Sequence, residues 1–195
     1  KIGGIEQAIL NATIQGRLDK AIATTQAGFK EMAVWINGRN ELISDQLYQA
    51  SRETGDRTYR MFARLGADHD TVVDTLRKRF IPEETPIITQ EYDGDGSKDR
   101  TYVERVLLGL QQNPDATISI DEASRIILEK LIQIQLLSNG RTREQVIVTV
   151  DRILERTDHE ELDTLLRKIS SDAVLLNPGQ ALARNIPQFI ASKVF

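Results

Sequence analysis

The chain has 195 residues, of which 40% are hydrophobic, 28% charged and 5% aromatic, and its formal net charge at pH 7 is −4. These are globular proportions, and they exclude disorder along the whole length and a surface that is basic throughout, as a general nucleic-acid binder needs. The lack of cysteine removes disulfides, thiolate zinc sites and cysteine nucleophiles, and no apolar run reaches the roughly 20 residues that span a bilayer.

With so few aromatic residues, the core has to be built from Leu, Ile, Val and Ala. The expected setting is the cytoplasm or the inside of a soluble assembly. The first residue is Lys1 rather than Met, which fits a processed or trimmed start.

In chain order, the apolar pattern is helical almost throughout. Over residues 5–26, Ile5 and Ile9 form one stripe and Leu10, Ile14, Leu18 and Ile22 another, at a spacing of four. Gly16 and the polar run Thr24–Gln26 weaken this helix near its end. Phe29, Met32, Ala33 and Ile36 continue the period until Asn37-Gly38, which reads as a C-terminal stop. Asn40 then reads as the N-cap of a helix over 41–53, with Leu42, Ile43 and Leu47 inward. Short helices follow at 57–65 and 70–80, the second carrying Val72, Val73, Leu76 and Phe80. Pro82 ends it, because proline lacks the N–H and restrains the residue before it.

Residues 81–100 differ in composition. They contain Pro82, Pro86, Gly94 and Gly96, and six acidic residues against two basic ones. The segment reads as an acidic linker or functional loop between helical halves 1–80 and 101–195, with "IIT" at 87–89 as one short extended piece. Within it, Asp93, Asp95, Ser97 and Glu104 fall at positions 1, 3, 5 and 12 of an EF-hand calcium loop. Lys98 stands where that loop needs glycine, Arg100 stands at a normally apolar position, and two prolines replace the entering helix. Glu104 also has a local role as the partner of Thr101. A hinge or partner-binding loop is the better reading.

The second half has well-marked helix starts. Thr101-x-x-Glu104, Ser119-x-x-Glu122, Thr142-x-x-Gln145 and Thr157-x-x-Glu160 all match the capping box, in which the hydroxyl takes the N3 amide and the N3 side chain reaches back. Each precedes an apolar run: Val103/Val106/Leu107/Leu110, Ala123/Ile127/Leu131/Ile134, Val146/Val150/Ile153/Leu154 and Leu162/Leu165/Leu166/Ile169. Asn177-Pro178-Gly179 reads as a turn. A last helix follows, broken or kinked at Pro187, and the chain ends in "FIASKVF". No fixed repeat period or sustained heptad pattern emerges.

Chemistry-bearing motifs are scarce. His69 and His159 both lie beside acids at helix starts, and His159 with Asp163 makes half a metal site at i,i+4. Neither Glu-x-x-His nor His-x-x-x-His occurs, and no phosphate-binding Gly-Lys-Ser/Thr loop or Gly-x-Ser-x-Gly elbow is found. No catalytic residue, cofactor or metal is assigned. Arg57, Arg60 and Arg64 line one helical face and Arg77, Lys78 and Arg79 follow, so residues 56–80 carry six bases against four acids. Such a stripe suits phosphates, with Tyr59 beside it to stack on a base, although acids Glu53, Asp56, Asp68, Asp70 and Asp74 are at hand to pair with it. A helix-turn-helix at 120–155, led by Arg141 and Arg143, fits less well than an ordinary helical hairpin. Trp35 reads either as core or as an interface anchor, and the apolar tail with Phe189 and Phe195 docks on this chain or on a neighbour.

The expectation is an all-α protein of eight or nine helices in two sub-bundles joined by the acidic segment. Its leading functional reading is a non-enzymatic structural or assembly protein that acts through protein partners and self-association, as a virion or other supramolecular component would. A nucleic-acid-packaging or regulatory protein using the 57–79 stripe and a calcium-regulated module are the alternatives.

Overall fold

The computed structural model describes residues 2–53, 70–79 and 100–194. Among these it is all-helical: α1 (Ile2–Ile14), α2 (Leu18–Glu53), α3 (Asp70–Arg79), α4 (Tyr102–Gln112), α5 (Ile120–Ser138), α6 (Arg143–Glu155), α7 (His159–Leu175) and α8 (Pro178–Val194). The expected helix at 57–65 and the extended piece at 87–89 lie outside the described residues.

The first half differs from its sequence pattern in where the chain breaks. The single helix expected over 5–26 is divided at Gly16, whose φ of 70° is left-handed. Gly16 donates its N–H to Thr13 O at 3.1 Å and Arg17 donates to Ala12 O at 2.9 Å, a Schellman closure of α1. The polar run Thr24–Gln26 does not end the helix that follows. The Thr25 hydroxyl bonds back to Ala21 O, and Gln26 Nε2 reaches Ile118 O at 2.8 Å. Asn37-Gly38 is not a stop, and Asn40 is not a cap. Instead α2 runs unbroken for 36 residues. Asn37 spends its side-chain amide on Gln111 O at 3.0 Å, an otherwise orphaned carbonyl in the last turn of α4. Asn40 is 1% exposed inside the helix.

In the second half three capping boxes form where expected, at Thr101/Glu104, Ser119/Glu122 and Thr142/Gln145. The fourth shifts by one residue. Thr157 is buried and its hydroxyl donates to Ile153 O at 2.6 Å, closing α6. Asp158 therefore caps α7, accepting the Glu161 N–H at 2.8 Å. Asn177-Pro178-Gly179 is also a helix start rather than a free turn, since Asn177 Oδ1 accepts the Gln180 N–H at 2.9 Å and Pro178 takes the first helical position. α8 continues through Pro187. The residue whose carbonyl loses a donor there, Ala183, is exposed to water.

α5 is the axis of the fold. It packs against α1, α2, α4, α6, α7 and α8, and Ile126, Ile127, Leu128 and Ile132 are wholly buried. Ile9, Phe29 and Met32 from before the 81–100 segment share one apolar cluster with Val103, Leu131, Leu166 and Ile186 from after it. Leu42, expected inward, is 57% exposed, and Ile134, the last residue of the apolar run on α5, is 45% exposed. The core-facing stripe of α2 has turned polar by Asn40 and Ser44, both buried, so Leu42 falls on the opposite side of the helix.

Candidate protein-interaction surface

α2 has two faces of different character. Phe29, Met32, Ala33 and Ile36 are buried. At 100° per residue, Val34, Gly38 and Leu42 form one row on the far side, with Trp35 alongside. Val34 is 59% exposed and Trp35 43%. A Cβ added at Gly38 would meet nothing within 4 Å, so the row is a shallow notch between two branched apolar side chains. One turn beyond Trp35, the guanidinium carbon of Arg39 lies 5.7 Å from the centre of the indole. Trp35 is thus held on the surface by a cation–π contact within its own helix, not inserted in the core. A second apolar surface lies at the end of α7, where Val174, Leu175 and Leu176 are all exposed.

Residue type points to Trp35. It does not mark Val34, and Leu42 reads as inward, although their spacing of eight and their offset from Phe29 and Met32 carry the signal.

The C-terminal residues are placed differently. Phe189 is half-buried against the core cluster, and Lys193 Nζ stands 5.7 Å from its ring centre. Lys193 donates to Arg156 O at 2.9 Å and also pairs with Glu161, while Arg156 donates to Lys193 O at 2.8 Å. These contacts pin the end of α8 onto the α6–α7 junction. Phe195 lies outside the described residues.

Of the basic stripe, Arg57, Arg60 and Arg64 lie outside the described residues. Arg77 and Lys78 are exposed in the last turn of α3, where the helix dipole favours cations, and Arg77 stands 3.7 Å from Asp74. Arg79 ends that helix. Asp93, Asp95, Ser97 and His69 are likewise outside the described residues. Glu104 accepts the Thr101 N–H at 2.9 Å and lies 3.5 Å from Arg143. Arg143 therefore answers to a carboxylate of its own chain.

His159 does not pair with Asp163, which binds Arg167 at 2.7 Å. It meets Asp121 of α5 at 2.9 Å instead. Asp121 also receives Arg125 at 2.8 Å, and Arg125 donates on to Leu154 O and Thr157 O. Partial burial pushes the Asp121 carboxyl up, but the hydrogen bonds from Arg125 and His159 outweigh it and hold the group below its usual range. This junction ties the head of α5 to the end of α6 and the head of α7. Among the described residues, no three His, Asp or Glu side chains converge as a metal would require, and no helix is long and apolar enough to cross a membrane.

Among the described residues the most deeply placed acid is Glu129, on α5 and fully buried. It accepts the Val103 N–H at 2.9 Å and the Gln133 side-chain amide at 2.6 Å, and the Thr101 hydroxyl also bonds to it. Burial pushes its carboxyl up to about 7 against the pull of those donors. Every donor belongs to this chain's own framework, so the group staples α4 to α5. Comparison with family models, curated proteins and solved structures produced no match, and the functional reading rests on this geometry.

Proposed function

We propose that the chain is a non-enzymatic helical assembly protein that works through protein–protein contacts, beginning with copies of itself. The observation that carries this reading is the outward ridge of α2, Val34-Gly38-Leu42 with Trp35 and Arg39 beside it. Single exposed apolar residues are ordinary on a protein surface. A contiguous row with a glycine notch, flanked by the two residue types that most often dominate binding energy, is not.

The ridge lies on a rigid element. α2 is 36 residues long, about 54 Å at 1.5 Å per residue, and its other face is locked into the core. The Val174–Leu176 surface supports extension beyond a single pair. It borders the start of α2 near Gly16, about 26 Å from Trp35 along the helix. Two separate apolar surfaces permit a head-to-tail contact that closes into a ring or runs on as a filament.

Sedimentation equilibrium across a concentration series tests the reading. A mass rising above the 22.0 kDa of one chain, and falling back to it in Trp35→Ala and Leu42→Glu, is the expected result. A wild-type chain that stays monomeric throughout, or an oligomer that both variants leave intact, overturns it.

A further inference from the structure

We infer that the two apolar surfaces are the two halves of one contact: the α2 ridge of one copy docks on the α7 end of the next, and assembly is head-to-tail. The pairing rests on the self-association proposed above and specifies which surfaces meet.

Shape favours this pairing. Leu175 is 78% exposed, more than any other large hydrophobic residue among the described ones, and Val174 beside it is 70% exposed. Together they project as an apolar knob at the end of α7. The ridge offers the matching hollow. Gly38 leaves open space, and Val34 and Leu42, one helical turn to either side, wall it. Knob on knob, or hollow on hollow, would leave these apolar atoms without close neighbours and forfeit their packing.

Charge supplies the independent argument. The row along the notch is acidic: Glu31 lies about 20° and Glu41 about 60° around the helix from Gly38, and both are exposed. The bases of this stretch stand to the sides, Lys30 about 80° one way and Arg39 about 100° the other, with Arg39 over the Trp35 ring. The α7 end has the opposite balance. Lys168, seven residues before Leu175, shares its side of the helix and is exposed. Arg17 adjoins Gly16, which is packed against Val174, and Arg184 precedes Asn185, which is bonded to Asp172; both arginines are exposed. The acids here are engaged within the chain. Asp163 binds Arg167 at 2.7 Å with Asp19 also in reach of that guanidinium, and Asp172 accepts the Asn185 amide at 2.8 Å. Ridge on ridge, in either orientation, would bring the carboxylates of one copy toward those of the other. Ridge on α7 end brings carboxylates toward free cations, around an apolar centre.

The test is sedimentation equilibrium on two variants of the full chain, Leu42→Glu on the ridge and Leu175→Glu on the α7 end. Each alone should weaken association at least about tenfold. Mixed in equal amounts, they should form a dimer of two 22.0 kDa chains that grows no further, because the intact ridge of one meets the intact α7 end of the other and the remaining surfaces are blocked. Wild-type chains that never associate overturn self-association and the head-to-tail contact together. Wild-type chains that associate, with Leu175→Glu associating equally well, overturn the head-to-tail contact alone and identify ridge-to-ridge pairing. A mixture in which both variants stay monomeric while the wild type associates also overturns it. If either variant melts well below the wild type, Gly38→Leu replaces Leu42→Glu and Lys168→Glu replaces Leu175→Glu, and the same outcomes are read.

Discussion

The carboxylate of Glu129, in the middle of α5, accepts the backbone N–H of Val103 at 2.9 Å, inside the first turn of α4. One buried acid thereby satisfies a donor that α4 cannot satisfy within itself. Because burial raises this carboxyl from 4.5 to about 7, folding is linked to pH. Between those values the unfolded chain has released the proton and the folded chain still holds it. Stability from this group is therefore full below 4.5, falls as pH rises, and is flat above 7, a loss on the order of a few kcal/mol. Lys130, which favours the charged form, and Asp151, which opposes it, are the charged groups that bear on it most. Urea unfolding at pH 5 and pH 8 should show a steeper loss in the wild type than in Glu129→Gln, which keeps an acceptor for Val103. Equal slopes would remove Glu129 as the source.

Gly16 and Gly140 have nearly the same backbone, with φ of 70° and 75°, but different surroundings. A Cβ on Gly16 would lie 2.7 Å from Val174 Cγ2 and 2.8 Å from Ser170 O, whereas one on Gly140 meets nothing within 4 Å. Gly140→Ala should cost about 1 kcal/mol, for the left-handed backbone alone. Gly16→Ala should cost roughly 2–4 kcal/mol, because α7 must also move away. Thermal melts of the two variants separate the contributions, and equal losses would mean that the α1–α2 turn is not tightly seated on α7.

Gly38 is a helix-interior glycine with open space around it, and glycine there is about 1 kcal/mol less favourable than alanine. Gly38→Ala should therefore raise the melting temperature. Gly38→Leu fills the notch between Val34 and Leu42 and should weaken self-association with little loss of folding stability. Sedimentation and melting read the two effects separately.

The cap of α7 offers a local check. Asp158→Ala should destabilise the fold by about 1 kcal/mol, as loss of an N-cap acceptor does. Glu160→Ala should have almost no effect, because Glu161 is the residue that reaches back to the cap. The reverse order in a denaturant series would restore Thr157 as the cap.

Much of this architecture is legible because it is local. The capping boxes at Thr101, Ser119 and Thr142 depend on residues three apart, and the apolar runs after them repeat with the helix's own period, so short-range chemistry specifies both the starts and the inward faces. The misread positions are those where a distant partner decides. Asn37-Gly38 is a stop signal in isolation, but Asn37 is drawn to a carbonyl on α4 and the helix continues. Thr157 is a sound cap until its hydroxyl is taken by α6. Leu42 looks inward until the buried stripe on α2 is seen to run through Asn40 and Ser44.

The ridge around Trp35 and the seating of the Gly16 turn on α7 belong to the same division. Composition and periodicity determine that this chain is helical, aliphatic in its core and without cysteine chemistry, since these follow from which residues are present and how they repeat. Which apolar side chains are left outside, and that Gly16 sits against Val174 and Ser170 of α7, depend on how helices far apart in the chain pack. Tertiary packing alone decides that, because helix periodicity specifies only that a face will be covered, and the shape and donors of the covering elements select which face it is.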